Sequence, residues 1–257
     1  MMFTETQFNL FIFIWLALAL SVFIVLIFIN APYGRHLRKG WGINIPSRLG
    51  WITMESPTII IMSLYFYNHY FFISYFDLTG ILFYIVWMTH YVHRTLIWPF
   101  RAQIDNKKMP ISIALFAIFF NTINTGINAE SIFKIHSPYP EYWITSPQFI
   151  CGVLLFTAGM WINISSDNIL INARKKSQNE YIIPKGGLYN WVSSPNYLGE
   201  ILEWIGWAIA TWSLAGFSFA IWVIANLAPR ARSNHLWYLE NFEDYPKKRK
   251  RLLPGIW

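Results

Sequence analysis

Residues Phe8 to Asn30 read FNLFIFIWLALALSVFIVLIFIN, an apolar run without one charged side chain. A pass through the hydrocarbon core takes about 20 mostly apolar residues, so this stretch predicts a transmembrane helix. Glu5 precedes it instead of a basic leader, the run is too long for the h-region of a signal peptide, and no small-residue cleavage site follows, so it is expected to be retained. Working outward with the same window gives further spans at 49–71, 78–97, 111–128, 147–168, 197–213 and 215–229. The last two meet around Ala215 and Gly216, as a helical hairpin would.

Composition agrees. Of 257 residues, 55% are hydrophobic and 13% charged, against roughly 25% charged in a soluble domain, which points to lipid as the solvent. Aromatic residues make up 19%, as expected where Trp and Tyr collect at membrane interfaces. The single cysteine, Cys151, excludes an intrachain disulfide. The net charge of +7 lies between the apolar runs, which favours membrane orientation and an anionic cofactor over nucleic acid.

The loops alternate. Arg35, Arg38, Lys39 and Arg48 follow the first span; Arg94, Arg101, Lys107 and Lys108 follow the third; Arg174, Lys175, Lys176 and Lys185 follow the fifth; and the tail holds Arg230, Arg232 and the run Lys247–Arg251. The second span is followed only by Asp77, and the fourth by Glu130, Lys134 and Glu141. Basic loops face the cytosol. The expected fold is therefore all-α: one polytopic membrane bundle of about seven transmembrane helices, N-terminus outside and C-terminus cytosolic, in a bacterial inner membrane or the endoplasmic reticulum. It forms a single integral-membrane domain over 1–257, in which 145–257 carries most of the candidate cofactor motifs. No internal repeat or linker divides it, and a monomer is expected.

Several polar groups do not belong in such a solvent. Glu55 is the only formal charge between Arg48 and Asp77. A charge at that depth costs several kcal/mol and is carried more cheaply as the neutral acid, so such residues face the bundle interior and mark sites. Two residues later Pro57 removes a helical hydrogen bond. The competing reading is a glutamate that reaches back to the headgroups. The third span ends in His90-Tyr91-Val92-His93-Arg94-Thr95, where Tyr91 and Arg94 share a helical face. Six scattered histidines without a cysteine pair make a metal site an unsuitable explanation. A tyrosine and a protonated acid could instead donate together to one substrate oxygen.

Asn163, Asp167 and Arg174 fall on one helical stripe and suit the hydroxyls and phosphates of a nucleotide. In Tyr181-Ile-Ile-Pro-Lys-Gly-Gly-Leu188 the Gly186-Gly187 pair marks a turn. Ser194 is a candidate N-cap before Pro195, and Asn196, Glu200 and Glu203 follow on the next helix. Arg230, Asn234 and Tyr238 recur every fourth residue. There is no G-x-G-x-x-G and no P-loop, so a dinucleotide would have to bind among helix ends and loops.

Taken in order, Glu55-Ser-Pro57, the 90–95 segment, Ile182-Pro-Lys-Gly-Gly-Leu188, Asn196-Tyr-Leu-Gly-Glu-Ile-Leu-Glu-Trp-Ile-Gly206, Ala210-Thr-Trp-Ser-Leu214 and Tyr238-Leu-Glu-Asn-Phe-Glu-Asp-Tyr-Pro-Lys247 resemble the steroid 5α-reductase family. The resemblance implies a membrane reductase that saturates the Δ4 double bond of 3-oxo-steroids such as testosterone or progesterone, with NADPH as cofactor and a lipophilic substrate drawn from the bilayer lipids. It implies that Glu55 and Tyr91 grip the C3 carbonyl and that Trp51 packs against the steroid. It further implies that Arg94, Asn163, Asp167, Arg174, Tyr181, Asn196, Glu200, Arg230, Asn234 and Tyr238 contact the cofactor. The choice of NADPH over NADH rests on the resemblance. Two positions depart from the family's pattern. Met54 stands where a glutamine is common, and Ser233-Asn234-His235 replaces a histidine run, leaving open whether Asn234 or His235 meets the cofactor. Related sterol or polyprenol reductases, and an isoprenylcysteine-type methyltransferase using S-adenosylmethionine, share parts of the pattern.

Overall fold

The computed structural model describes residues 4–29, 34, 40–72, 76–176 and 181–257, with Lys176 in its backbone only. Each predicted apolar window forms a helix: α1 Glu5–Phe28, α2 Ser47–Tyr67, α3 Leu78–Val92, α5 Ile111–Glu130, α6 Pro147–Lys176, α7 Pro195–Thr211 and α8 Leu214–Asn241, with a single helical turn, α4, at Trp98–Arg101. Among the described residues, four helical segments are long and apolar enough to cross a membrane: Glu5–Phe28, Ile111–Ile135, Pro147–Lys175 and Leu214–Asn241. On α1 the side chains of Leu10, Phe13, Ile14 and Leu20 are all about 60% exposed, which is stable only with lipid as the neighbour. α3 has 15 residues, but the helical path continues through one wide π turn, His93–Ile97, into α4. Arg35, Arg38 and Lys39, part of the charge alternation, lie outside the described residues.

Three local features differ from expectation. The last span was expected to end at 229, whereas α8 runs through Pro229 to Asn241. The proline removes one helical hydrogen bond only, and the residues after it are competent helix formers. Asn44–Pro46 (β1) and Lys108–Pro110 (β2) form a small antiparallel ribbon with Ile45 opposite Met109. Pro46 and Pro110 are held extended directly before α2 and α5, which leaves the preceding residues extended and able to pair. Ser194 does precede Pro195, but its Oγ, 2% exposed, has no hydrogen-bond partner among the described residues, so it does not cap α7.

The elements group into two compact units. The first contains β1, β2 and α2 to α5. There Trp87 Nε1 donates to the Thr58 carbonyl (3.2 Å) and Ser63 Oγ meets Tyr84 Oη (3.0 Å), so α2 and α3 run antiparallel. α5 packs along α2 in parallel: Asn121 meets Met54 near one end and Glu130 meets Tyr65 further on. The second unit contains most of α1 with α6, α7 and α8. α6 and α7 approach through glycine. A Cβ at Gly206 would lie 2.6 Å from the Gly152 carbonyl oxygen, and one at Gly199 would lie 2.6 Å from that of Gly159. Small residues permit this backbone contact, and in lipid such packing replaces the hydrophobic drive for helix association. α1 and α8 run parallel, joined by Trp15 with Trp222 (ring centroids 4.7 Å apart) and by Arg232 Nη1 to the Ile27 carbonyl (3.3 Å).

Candidate active site

In the first unit the site is built around α2. α2 passes through Pro57 without interruption, and Glu55 is half-buried one turn after Trp51. The hydroxyl of Thr58, itself fully buried, donates to the Glu55 carbonyl at 2.5 Å. From α5, Asn121 Nδ2 donates to the Met54 carbonyl (2.7 Å) and to Glu55 Oε2 (3.2 Å). Tyr91, 4% exposed, lies in the last turn of α3, its ring centroid 4.9 Å from that of Trp87 and 4.9 Å from that of His90. The antiparallel register that pairs Thr58 with Trp87, carried one turn on, brings Tyr91 level with Glu55.

Trp51 is committed on two sides. Its Nε1 donates to the Arg94 carbonyl (3.2 Å), its ring lies 4.5 Å from that of Trp98, and the Arg94 guanidinium sits 4.6 Å above it. Arg94 also lies 5.0 Å from the Trp98 ring, so the π turn sets one cation against a pair of neighbouring indoles.

In the second unit the glycine contact between α6 and α7 leads directly into a polar cluster. Asn163 Nδ2 donates to the Asn196 carbonyl (3.0 Å), and Asn196 Nδ2 donates to Asp167 Oδ1 (3.0 Å). Asn163 and Asp167 are each 6% exposed. Burial, followed by the charge of Asp167, pushes the Tyr189 phenol well above its ordinary range, so it stays neutral. Gly186 and Gly187 both adopt positive φ, at 98° and 52°, as the predicted turn requires. Beyond the turn, Arg174 lies 6.0 Å from the Tyr181 ring, which packs on Trp237 at 5.1 Å. On α7, Glu200 is half-buried and Glu203 fully buried.

α8 carries Arg230, Asn234 and Tyr238 on one stripe of an unbroken helix. Tyr238 stacks on Tyr245 (5.1 Å, 7° between planes). Tyr245 Oη meets Ser193 Oγ at 2.7 Å, and Ser193 Oγ meets His235 Nδ1 at 2.6 Å. His235 is thereby engaged within the protein through one ring nitrogen.

Two groups of buried polar side chains are not apparent from the sequence. Arg249 belongs to the basic run read as a membrane anchor, yet it is 4% exposed, lies 5.1 Å from the Tyr245 ring, and has Nε and Nη1 without hydrogen-bond partners among the described residues. The fold brings it there because the tail pairs with the segment before α7: Lys250 N–H donates to the Trp191 carbonyl and Ser193 N–H to the Lys250 carbonyl, both at 2.8 Å. The other group is the buried polar stripe of α5, Asn121, Asn124, Thr125 and Asn128. Its signal was present as amides at helical spacing inside an apolar span, but a search for formal charges passes over asparagine.

A family model described as 3-oxo-5-alpha-steroid 4-dehydrogenase matches residues 107–257. The chain is 38% identical to a Gossypium hirsutum protein named steroid 5-alpha-reductase DET2, an alignment covering 98% of each. It is 39% identical to the Arabidopsis thaliana protein of the same name, over 91% of this chain and 90% of that one. It is 37% identical to 3-oxo-5-alpha-steroid 4-dehydrogenase 1 of Homo sapiens, over 88% of this chain and 86% of that one. With these likenesses over nearly its full length, the chain belongs to the 3-oxo-5-alpha-steroid 4-dehydrogenase family and is an oxidoreductase.

Proposed function

We propose that this protein reduces the Δ4 double bond of 3-oxo-Δ4-steroids with NADPH as the reductant. The observation that carries the reading is the Glu55 carboxyl group, set into the seam between α2 and α5 and held there by Asn121. The names of the relatives supply the substrate class.

The cofactor assignment draws on the second unit. Asn163, Asp167 and Asn196 form a hydrogen-bonded set suited to nucleotide hydroxyl and amide groups, and Arg174, Tyr181, Glu200, Arg230 and Tyr238 are assigned to the same cofactor from the family pattern. His235 is engaged by Ser193, so the contact from that part of α8 is assigned to Asn234. Arg249 brings a buried guanidinium whose unpartnered N–H groups fit a phosphate, and a buried cation of this kind supports an anionic ligand. Arg94 is assigned to the same cofactor through the family pattern, although its guanidinium packs against Trp51 and Trp98.

When bound, NADPH supplies the hydride that reaches C5 of the substrate. An enone accepts hydride slowly until its oxygen is polarised, because negative charge moves onto that oxygen in the transition state. Glu55, as the neutral acid, and Tyr91 donate hydrogen bonds to the C3 oxygen and stabilise that charge. Trp51 packs against the rings. A proton then adds at C4 and the carbonyl re-forms, leaving the saturated 5α-ketone.

Seven passes with the N-terminus outside are part of the proposal. Within the second unit α1 and α8 run in the same direction while α6 and α7 run opposite, and within the first unit α2 and α5 agree while α3 opposes α2. This is the alternation that seven successive crossings require.

Purified protein in lipid nanodiscs, given NADPH and testosterone or progesterone, is expected to yield the 5α-product, identified by chromatography against authentic standards. Protein that binds NADPH but consumes none with any 3-oxo-Δ4-steroid would overturn the substrate assignment.

A further inference from the structure

Asn121 makes two contacts with one nitrogen. Its Nδ2 lies 2.7 Å from the Met54 carbonyl oxygen and 3.2 Å from Glu55 Oε2. The orientation of an asparagine amide is often ambiguous, because its oxygen and nitrogen are alike in size. Here chemistry decides it: a backbone carbonyl can only accept, so the atom facing Met54 is the NH2 group. That group has two hydrogens, one for the carbonyl and one for Glu55. Asn121 is 7% exposed, and Met54 likewise, so water does not compete freely at this contact.

We infer that Asn121 is a positioning residue, which fixes the Glu55 carboxyl group so that its acidic proton sits on the oxygen turned away from α5. The inference rests on the proposed role of Glu55 as a neutral donor. A carboxylic acid has one oxygen that carries the proton and one that can only accept. Placing the proton on Oε2 would leave Asn121 donating to a hydroxyl oxygen, a weaker acceptor than the C=O oxygen. With Asn121 anchored by the Met54 carbonyl, Oε2 is the accepting oxygen and Oε1 carries the O–H. The donor is thereby aimed before substrate arrives, and no reorientation is needed during the reaction.

The arrangement also accounts for Met54, whose side chain cannot hydrogen-bond to the acid beside it. Its thioether joins an apolar cluster with Met109 and Ala114, while its backbone carbonyl takes the polar role by holding Asn121. One partner for Glu55 thus comes from α5, across the seam.

The test uses full-length protein in nanodiscs, with Asn121→Leu as the variant close in volume. kcat for steroid reduction should fall about 10²-fold, the scale of a misplaced catalytic group, and by more than KM rises, with NADPH affinity unchanged. In infrared difference spectra, the acid C=O band that Glu55→Gln removes should move to higher frequency in Asn121→Leu, because the carbonyl oxygen has lost its donor. If the leucine variant does not fold, Asn121→Ser, whose shorter side chain cannot span the gap, is read in the same way. A folded variant with unchanged kcat and an unmoved band, or wild-type protein without that band, overturns the inference. If Glu55→Gln is inactive while Asn121→Leu is not, only the positioning role fails. If Glu55→Gln keeps its activity, the role of Glu55 fails and this inference fails with it.

Discussion

Asn196 on α7 donates its side-chain amide to Asp167 on α6 at 3.0 Å, and accepts at its own carbonyl from Asn163, also at 3.0 Å. One residue thus ties together two of the candidate cofactor ligands of the neighbouring helix. Asp167→Ala removes the carboxylate that Asn196 addresses and leaves a half-buried amide without that acceptor. A hydrogen bond to a charged group contributes about 1.5–3 kcal/mol, so NADPH affinity should weaken at least about tenfold if the same carboxylate orients the cofactor. Fluorescence titration with NADPH measures this, and an unchanged Kd in folded protein would count against the cofactor site.

Glu55→Gln and Tyr91→Phe should each lower the rate of steroid reduction, by about 10²–10³ for the loss of one donor to a developing oxyanion. Neither residue belongs to the proposed cofactor set, so NADPH binding should persist in both variants. Single-turnover measurements with saturating NADPH separate the two effects. Comparable losses in NADPH affinity would show that the variants act through structure and not through the carbonyl.

Gly199 has no room for a side chain. A Cβ there would lie 2.6 Å from the Gly159 carbonyl oxygen, and the helix backbones on both sides cannot yield as a side chain can. Gly199→Ala should therefore cost about 1–3 kcal/mol, the usual penalty of overpacking. It should also weaken NADPH binding, because Asn163 and Asn196 lie just beyond the contact. Gly126 provides the control: a Cβ there meets nothing within 4 Å, and Gly126→Ala should be neutral or stabilise α5 by about 0.5–1 kcal/mol. Thermal unfolding of the two variants in the same detergent reads the difference.

Arg249 and Lys248 are neighbours in one basic run, yet one is buried and the other exposed. Arg249→Met should raise the Kd for NADPH by at least about tenfold, in line with loss of a charge-assisted hydrogen bond, whereas Lys248→Met should leave it nearly unchanged. Equal effects would mean that the tail acts through its summed charge alone. A Kd for NADH that rises as much as that for NADPH would place Arg249 away from the extra phosphate.

Much of this protein is written in its sequence by itself. The apolar run 8–30 and its successors predict seven of the eight α-helices among the described residues, all but the single turn α4, because in lipid a backbone must satisfy its own hydrogen bonds within the segment. The stripes of Asn163, Asp167 and Arg174, and of Arg230, Asn234 and Tyr238, follow from the helical repeat and needed no tertiary information. Glu55 also stands out unaided, since a lone acid in an apolar segment is legible from its cost. What surrounds these residues is not legible, because it depends on contacts between distant segments. That Asn121 reaches Glu55, that Asn196 joins Asp167 and Asn163, and that Arg249 is buried beside Tyr245 are outcomes of packing, set by where glycine lets helices close and where the tail pairs with the segment before α7. The sequence determined the helices and the chemical groups they carry. The tertiary structure decided which group acts on which, because a hydrogen bond is a matter of ångströms between residues that the chain keeps far apart.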